Sequence, residues 1–368
     1  MITIVIPTKN RPDFLIRLLN YYAQTGYQHW LSIGDSSDPF HCERIKEAVK
    51  RFEGQLKIQY SYLPNYSIAQ SIYRLNQDIQ TPYAVLIADD DLLIPNGIEK
   101  CITFLEKSNE YHAAHGLGVL FLLKSVGPYG DLLDLGNYKL GEVNDYTASR
   151  RIQSFIDNYF VCLFSVHRTA IWKEMWQQVM GMEDTAFGAE LLPCCLSAIS
   201  GKIKKIDTLY LLRQGHQQRY LLSDPYDWIT NPKWFSSYAQ FSRVLAETLA
   251  HQDAIELNEA QRIIKKVFWS YLYRVLTQKY QHAYGHKGGV RENIKRIIVK
   301  VPGADKYWLP SWRYLRSRLF HQDRMTLATL LNPRSPYHAD FISFYRMVTR
   351  PMEADQNLNK IEFAYEKK

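Results

Sequence analysis

The first 107 residues alternate between apolar runs and amphipathic patterns, and this alternation limits the chain to few folds. The run ITIVIP at 2–7 is apolar and β-branched and ends at a proline, which is typical of a buried strand. HWLSIGD, KIQYSY and YAVLIA follow the same pattern, and apolar residues at helical spacing come after each run. Four strand–helix units predict a mostly parallel α/β sheet with right-handed connections and helices on both faces.

Polar residues follow three of these strands, at the edge where such sheets bind ligands. The three groups are Thr8-Lys9-Asn10, Asp35-Ser36-Ser37 and Asp89-Asp90-Asp91. Adjacent acids are most often a solvated loop, but acids behind a buried strand are held rigidly. Mg²⁺ and Mn²⁺ bind carboxylates together with phosphate oxygens. The sequence therefore predicts a cation- and phosphate-binding cleft at this edge of the sheet.

Beyond residue 110 the pattern is less regular and becomes helical toward the C-terminus. GVLFLL predicts a strand, RTAIWKEMWQQV and AELLPCCLSAIS predict helices, and IKKIDTLYLLR predicts a strand pair or a bent strand. The prolines of LSDPYDWITNPK lie among turn-forming residues and indicate a boundary. We expect an α/β domain over 1–221 and a helical C-terminal region over 222–368.

The net charge indicates the kind of binding partner, and the cysteine content indicates the cellular compartment. The formal charge of +8, from 45 Lys and Arg against 37 Asp and Glu, favours anionic partners. The five cysteines form no CxxC pattern, which indicates a reducing compartment and makes a zinc site unfavourable. The sequence begins MITIVIPTKNRP, without the basic start of a signal peptide, and no apolar run approaches the roughly 20 residues that span a bilayer. We expect a cytoplasmic protein, either free or peripheral on the inner membrane face.

Four segments, taken in order, resemble the family 2 glycosyltransferases with the GT-A fold. They are VIPTKNRP, IGDSSD, LPNYSIAQSIYRLNQDIQTPYAVLIADDDLLIP and FGAELLPCCLSAISGKIKKIDTLYLLRQGH, and together they extend over roughly residues 1–221. The resemblance implies a GT-A-like catalytic domain that transfers a sugar, with inversion, from a nucleoside diphosphate sugar to an acceptor hydroxyl. It implies Mn²⁺ or Mg²⁺ as cofactor and a glycan or lipid-linked acceptor, in the synthesis of surface polysaccharide or glycoconjugate.

The resemblance also assigns residues to the nucleotide. Asp35 and Asp89 match the family acids that hold the base and ribose. Asn65 and Asn76 match the asparagine-containing region between them, and Thr8 lies at the same strand edge.

For the metal and the diphosphate, alignment with the family leaves more than one interpretation of the matching residues. Aligned on LLIP, Asp90 and Asp91 match the last two acids of the family motif and Ala88 stands where the first would be. Either Asp90 or Asp91 is then the direct metal ligand, and the third acid tunes charge or binds ribose. RQGH resembles the family loop that closes over the diphosphate, so Arg213 would bind phosphate. His216 would bind metal or phosphate, with a surface histidine as the equal alternative.

The later block implies the catalytic base. Alignment on LSAISGKIKKIDTLYLLRQGH makes Glu190 the match for the second family acid, and Ala189 replaces the first. The pair Glu183-Asp184 is the competing candidate and fits the spacing less well. A purely structural alternative for Glu190 is an acid at a helix start, which the helix dipole stabilises. His112 and His115 have no acid nearby in sequence and are predicted to be surface residues.

A basic segment lies near the C-terminus. Residues 285–324 hold ten Lys and Arg against three acids, interleaved with five aromatic residues. This pattern favours an anionic membrane or a lipid-diphosphate acceptor, and an ordinary basic helical surface is the alternative. Nucleic acid is not an expected partner, because no recognised binding module accompanies the charge.

Two other functions remain open from the sequence. A nucleotidyltransferase also needs a metal on acids beside a nucleotide, but its usual Gly-rich, Arg-containing first loop is absent after Pro7. A non-catalytic sugar-binding or assembly subunit is the second alternative. Ala88 and Ala189 at family acid positions favour it.

Overall fold

The computed structural model describes residues 1–217, 224–283 and 325–349. The expected boundary at 221/222 and the basic segment 285–324 lie outside the described residues.

The N-terminal half folds into the four predicted strand–helix units. Its strands pair in parallel in the order β3-β2-β1-β4. They are β1 (Ile2–Thr8), β2 (Trp30–Asp35), β3 (Lys57–Tyr62) and β4 (Tyr83–Leu86). The helices that follow them are α1 (Pro12–Gln24), α2 (Pro39–Arg51), α3 (Ile68–Gln77) and α4 (Pro95–Lys107).

Local sequence explains where these helices begin. Proline occupies the first turn of α1, α2 and α4, where its missing N–H costs nothing. Helix α3 begins instead with a capping box, in which Ser67 and Gln70 satisfy each other's backbone N–H groups. The chain crosses the sheet in one direction from β1 to β3 and then returns past β1 to form β4. Because these crossovers are right-handed, α3 lies on the opposite face of the sheet from α1 and α2. In agreement, α1 packs on α2, and α3 packs on the later helix α6 (Thr169–Gln178).

Within the described residues, nine strands form one sheet in the order β3-β2-β1-β4-β8-β6-β9-β5, with β7 paired to β6. The later strands are β5 (Leu92–Leu93), β6 (Tyr111–Leu123), β7 (Leu132–Tyr138), β8 (Val166–Arg168) and β9 (Lys202–Gly215). Strand β8 joins the two halves through antiparallel pairs with β4 and β6, whereas β6 and β9 pair in parallel.

The segment IKKIDTLYLLR forms part of one long strand, β9, rather than a strand pair. The register of β9 against β6 shifts on both sides of Leu117, which bends the pair. At Gly116 the two strands come so close that a Cβ atom would lie 2.3 Å from the Thr208 carbonyl oxygen. Glycine allows this approach, and β9 therefore continues to the ligand-binding edge of the sheet.

The C-terminal part is helical, as predicted, and packs on the helices beside the sheet. Helices α9 and α10 pack on each other and on α5, and α9 also contacts α7. The remaining helices are α5 (Ala148–Asp157), α7 (Leu192–Ser200), α8 (Pro225–Thr230), α9 (Trp234–Asp253), α10 (Leu257–Ala283), α11 (Leu327–Leu331) and α12 (His338–Thr349). In the described ranges, no helix combines the length and apolar character needed to cross a membrane. The α/β fold with a helical C-terminal region is confirmed.

The prediction that His112 and His115 are surface residues is wrong. Both lie on β6, in the middle of the sheet, and are buried. One nitrogen of each ring lies beside a hydroxyl group: His112 Nε2 is 3.0 Å from Ser197 Oγ, and His115 Nδ1 is 2.8 Å from Ser165 Oγ. Burial lowers the pKa of His115 to about 3 and also lowers that of His112, so both rings are neutral parts of the core.

Candidate functional site

The three adjacent acids lie between β4 and β5, below the surface rather than at its rim. Asp89 and Asp91 are fully buried, and Asp90 is 5% exposed. The turn that holds them is closed by a hydrogen bond from the Asp91 N–H to the Ala88 carbonyl oxygen. Buried carboxylates need counter-charges or hydrogen-bond donors, and the structure supplies them from distant parts of the chain.

The loop after β1 supplies the first counter-charge. Arg11 forms ion pairs with both Asp89 and Asp90, and its Nη1 lies 2.9 Å from Asp90 Oδ2. Thr8 Oγ1 donates a hydrogen bond of 2.7 Å to Asp89 Oδ2. Asp89 is therefore held by two residues of one loop, and Arg11 lies between the two acids.

The end of β9 supplies the second counter-charge. Arg213 Nε lies 2.8 Å from Asp91 Oδ2, and the Gln214 N–H donates to Asp91 Oδ1 at 3.0 Å. Arg213 also donates from Nη1 to the Tyr138 hydroxyl on β7, at 2.7 Å. Because the guanidinium is planar and its donors are fixed, these contacts set its orientation.

His216 lies against the acid that is partly exposed. Its Nε2 lies 2.8 Å from Asp90 Oδ2, and its ring stacks on Phe14 with the ring centroids 4.6 Å apart. The side chain is only 2% exposed. Among the described residues, its Nδ1 has no hydrogen-bond partner. This position excludes the surface-histidine alternative.

A third arginine lies behind the acids. Arg17 on α1 is completely buried and donates to the backbone carbonyl oxygens of Asp90, at 2.5 Å, and Pro128, at 2.9 Å. It also contacts the side chain of Gln214. Three carboxylates thus face the guanidinium groups of Arg11, Arg17 and Arg213, and the formal charges of these six groups cancel.

The three carboxyl groups differ in acidity because their surroundings differ. Burial raises the pKa of Asp89 to about 7 against the opposing charge of Arg11, and it raises that of Asp91 to about 7 against Arg213. At Asp90, burial is outweighed by the hydrogen bond from His216 and the charge of Arg11, and the pKa falls to about 2. Asp90 is therefore the acid that is both partly exposed and ionised near neutral pH.

The predicted base- and ribose-binding residues lie at the neighbouring loops. Asp35 is buried and accepts hydrogen bonds of 2.8 Å from the Ser37 N–H and from the Tyr60 hydroxyl. Asn10, in the left-handed region with φ 57°, is linked to the same loop through its N–H, which donates to Ser37 Oγ at 2.7 Å. Asn65 is exposed, with φ 66°, in the turn after β3.

Asn76 does not lie at these loops. It is buried on α3, and its Oδ1 accepts a 2.7 Å hydrogen bond from Trp172 Nε1 on α6. This contact joins two helices, so the structure gives Asn76 a structural role.

Glu190 lies in a π-helical turn, Phe187–Leu191, that leads into α7. Its Oε1 accepts a 2.9 Å hydrogen bond from the Tyr159 hydroxyl. Burial raises the pKa of Glu190, while Tyr159 and the nearby charge of Arg213 lower it. Arg213, which pairs with Asp91, is thus one of the charges that act on Glu190.

The competing pair has other contacts. Glu183 is exposed and forms a 3.2 Å ion pair with Lys233. Asp184 accepts hydrogen bonds from Trp228 Nε1 at 3.0 Å and from the Phe187 N–H at 2.9 Å. The bond from Phe187 caps the turn before Glu190, and the bond from Trp228 connects this turn to α8. Asp184 therefore has a structural role.

Sequence reasoning missed Arg11, Arg17, Gln214 and Tyr138. For Arg17 a signal existed, because it lies three residues after one aromatic residue of α1 and four before another, on the face that the helix buries. For Arg11 the only signal was its position in the NRP motif.

The described residues of this site do not form a complete set of metal ligands. In the part of the chain that the structure describes, no group of three or more His, Cys, Asp or Glu side chains is arranged to hold a metal ion. Asp89 and Asp91 are fully buried against arginines, whereas Asp90 is the least buried of the three, at 5% exposed, and is held by Arg11 and His216. A hard cation with one carboxylate and phosphate oxygens fits that arrangement.

No protein-family model and no curated protein matches the chain. Among solved structures, S. aureus TarS 1–349 in complex with UDP-GlcNAc matches with a TM-score of 0.51 at 14% identity, covering 94% of this chain and 90% of that one. The crystal structure of S. aureus TarS 1–349 matches with a TM-score of 0.47 at 13% identity, covering 94% of this chain and 89% of that one. The first of these similarities shows that the chain shares the fold of TarS, with a mixed α/β sheet and a helical C-terminal part.

Proposed function

We propose that the protein is a glycosyltransferase that moves a sugar from a nucleoside diphosphate sugar to an acceptor hydroxyl. The observation that carries this proposal is the convergence of Arg11, Arg213 and His216 on the adjacent acids Asp90 and Asp91. Three of the four sequence segments that resemble family 2 glycosyltransferases contribute these residues. The fold shared with TarS, whose structure contains UDP-GlcNAc, supports a nucleotide-sugar donor.

The donor nucleotide would lie over the loops after β1 and β2. Thr8, Asp35 and Asn65 are the proposed contacts to base and ribose. The hydrogen bonds on Asp35 fix its carboxylate before any ligand arrives, which lowers the entropy cost of binding. Asp89 is buried and engaged by Arg11, so its proposed contribution to ribose binding acts through Thr8, with which it shares a hydrogen bond.

The diphosphate would lie against Arg213, Arg11 and His216. The side chains of both arginines are partly exposed, at 28% and 18%, so each can reach a ligand while it holds an acid. Arginine binds phosphate oxygens through paired N–H donors. The ring of His216 is buried, so it would act on the diphosphate by holding Asp90 through Nε2.

Mn²⁺ or Mg²⁺ is the proposed cofactor, with Asp90 as the first-choice ligand and Asp91 as the second. Such a cation, when bound, would neutralise the negative charge that develops on the diphosphate as it leaves. The protein's own part is to hold Asp90 ionised and in place, which His216 and Arg11 do.

Glu190 is the proposed general base for an inverting transfer. A base must be close to ionised at neutral pH and yet basic enough to accept a proton from a hydroxyl group. Burial raises its pKa in that direction, and Tyr159 orients the carboxylate.

Binding and turnover should be tested separately. Nucleoside diphosphate sugars are screened by thermal shift with and without Mn²⁺, because a ligand of the folded state raises its stability. Donors that bind are then measured by calorimetry on the wild type, Asp90→Asn and Asp91→Asn. We expect metal-dependent binding to weaken in at least one variant, and unchanged binding in both would exclude the metal assignment.

The products released during turnover distinguish a glycosyltransferase from the two alternative functions. A transferase releases nucleoside diphosphate from the donor, a nucleotidyltransferase releases pyrophosphate from a nucleoside triphosphate, and a non-catalytic subunit releases neither. Binding of a nucleoside diphosphate sugar without any product over a broad acceptor panel would favour the assembly subunit.

A further inference from the structure

Helix α10 carries an aromatic and basic stripe on its exposed side. Trp269 is 62% exposed and Tyr273 is 72% exposed, and the two are one helical turn apart. Three exposed cations, Arg262, Lys265 and Lys266, continue the same side toward the start of the helix. These five residues are called the α10 stripe below.

The opposite side of α10 is part of the protein core. Ile264, Val267 and Phe268 are buried, and Phe268 packs among aromatic residues of the turn before α7 and of α9. Tyr271 on this side packs edge-on against Tyr159, with the ring centroids 5.5 Å apart, and the Tyr159 hydroxyl donates a hydrogen bond to Glu190. Large aromatics that are mostly exposed on an otherwise well-packed helix indicate a binding surface.

The residue types of the α10 stripe indicate the kind of partner that it binds. Trp and Tyr are enriched where apolar tails meet polar headgroups, since their rings are amphipathic. The helix holds five Lys and Arg against one acid, so its net charge is positive. An anionic, extended and partly apolar partner is complementary to this surface.

We propose that the α10 stripe docks the protein on an anionic lipid bilayer. This goes beyond the transfer reaction, and it does not depend on the identity of the donor. A helix is about 10–12 Å across with its side chains, so Glu190 would lie roughly one helix diameter from the bilayer surface. An acceptor carried on a lipid would then approach the proposed base from the side on which the protein is docked.

The test uses the full chain and vesicles of phosphatidylcholine, with or without phosphatidylglycerol. The variants are the pair Trp269→Ala/Tyr273→Ala and the pair Lys265→Glu/Lys266→Glu. Phe40→Ala is the matched control, because Phe40 is 73% exposed on α2, in the other half of the protein. Co-sedimentation gives the partition coefficient at low and high salt.

We expect the wild type to bind anionic vesicles, more weakly at high salt. Removing the two aromatic side chains should lower the partition coefficient about tenfold or more, since each buries substantial apolar area. Loss of each cation should lower it roughly fivefold, and the added negative charges should lower it further. Phe40→Ala should bind like the wild type. All variants should retain their circular dichroism spectra and their nucleotide-sugar binding, which separates this test from that of the proposed function.

Three results would overturn the proposal. The first is equal binding of the wild type to neutral and anionic vesicles. The second is unchanged binding of both pair variants, which would place the attachment elsewhere in the chain. The third is a lipid-free dimer, seen by light scattering, that Trp269→Ala/Tyr273→Ala dissociates, because the stripe would then join two copies of this chain.

Discussion

Arg11 occupies the space between two carboxylates, where the proposed metal would bind. It pairs with Asp89 across 78 residues of sequence and with Asp90 across 79, and it lies over the ring of Phe14. A divalent cation on Asp90 would have to share or replace this guanidinium. Arg11 therefore stabilises the acids in the free protein and competes with a metal for them.

Replacing Arg11 with Gln should strengthen Mn²⁺ binding roughly tenfold or more, because Asp90 loses a competing cation. The same change should lower the free energy of unfolding in metal-free buffer by about 1–3 kcal/mol, since two acids lose a hydrogen-bonded partner. Mn²⁺ affinity is measured by titration with electron paramagnetic resonance, and stability by urea unfolding.

Arg44→Gln is the control, because Arg44 forms a comparable 2.6 Å ion pair with Asp13. It should leave Mn²⁺ affinity unchanged. Weaker Mn²⁺ binding by Arg11→Gln would show that Arg11 supports the metal rather than competing with it.

Glu190→Gln should lower kcat by roughly 10² to 10⁴, the loss typical for removal of a general base, while donor affinity stays near that of the wild type. Gln keeps the size of the side chain and the hydrogen bond to Tyr159 but cannot accept a proton. Steady-state transfer and donor calorimetry measure the two effects.

Glu183→Gln is the matched control, since Glu183 is exposed and pairs only weakly with Lys233. It should retain full activity. If Glu183→Gln or Asp184→Asn abolishes transfer and Glu190→Gln does not, the base is in the preceding turn.

At the scale of elements, the pairing of β6 with β9 assembles the cleft. Strand β9 ends in Arg213 and Gln214, which bind Asp91, and its position depends on the close approach at Gly116. A change in this strand pair should therefore affect both stability and ligand binding.

Gly116→Ala should lower the free energy of unfolding by about 1–3 kcal/mol or more, because the new Cβ would overlap the Thr208 carbonyl oxygen at 2.3 Å. Urea unfolding measures this change. Any folded variant should also bind donor more weakly, since β9 must move.

Gly136→Ala on β7 is the control, because no atom of the described residues, apart from its chain neighbours, lies within 4 Å of the Cβ position there. It should be neutral or stabilising by up to about 1 kcal/mol. Equal stability of the two variants would show that β6 and β9 separate at little cost.

At the scale of the whole molecule, buried ionisable groups make stability depend on pH. His167 on β8 lies between the two halves of the sheet, with its Nδ1 2.7 Å from the Ser165 carbonyl oxygen. Burial lowers its pKa to about 4, below the value near 6.5 expected in the unfolded chain. The unfolded state then binds more protons below pH 6.5, so His167 causes stability to fall as the pH drops from 6.5 toward 4. Asp89 and Asp91, with raised pKa values, act in the opposite direction between about pH 4 and 7.

Comparison with His167→Gln isolates the histidine, because the acids are the same in both proteins. As the pH falls from 6.5 to 4.5, the free energy of unfolding should fall more steeply for the wild type than for His167→Gln. The difference in slope should be largest near pH 5, midway between the two pKa values, at about 1.2 kcal/mol per pH unit. Urea unfolding at each pH gives the difference. The exposed His251→Gln should follow the wild-type curve, and parallel curves for the wild type and His167→Gln would contradict the assignment of a neutral buried ring.

The sequence alone determined the strand–helix alternation, the helix starts and the position of the three acids at a strand end. These features depend on side-chain periodicity, on proline and on capping residues, all of which act within a few positions of the chain. For the same reason the helical C-terminal region was predictable, and so was the edge of the sheet at which the three acids lie.

Only the tertiary structure decided how the charges are satisfied. Arg17 meets Gln214 across 197 residues, and no local pattern predicts that contact or the burial of Asp89 and Asp91 beneath their arginines. The same holds for His112 and His115, which are polar in sequence but buried in the sheet, where one nitrogen of each ring lies beside a serine hydroxyl. Burial and charge pairing depend on which distant segments pack together. The folded sheet, rather than any single segment, therefore produces the neutral cleft beside Glu190.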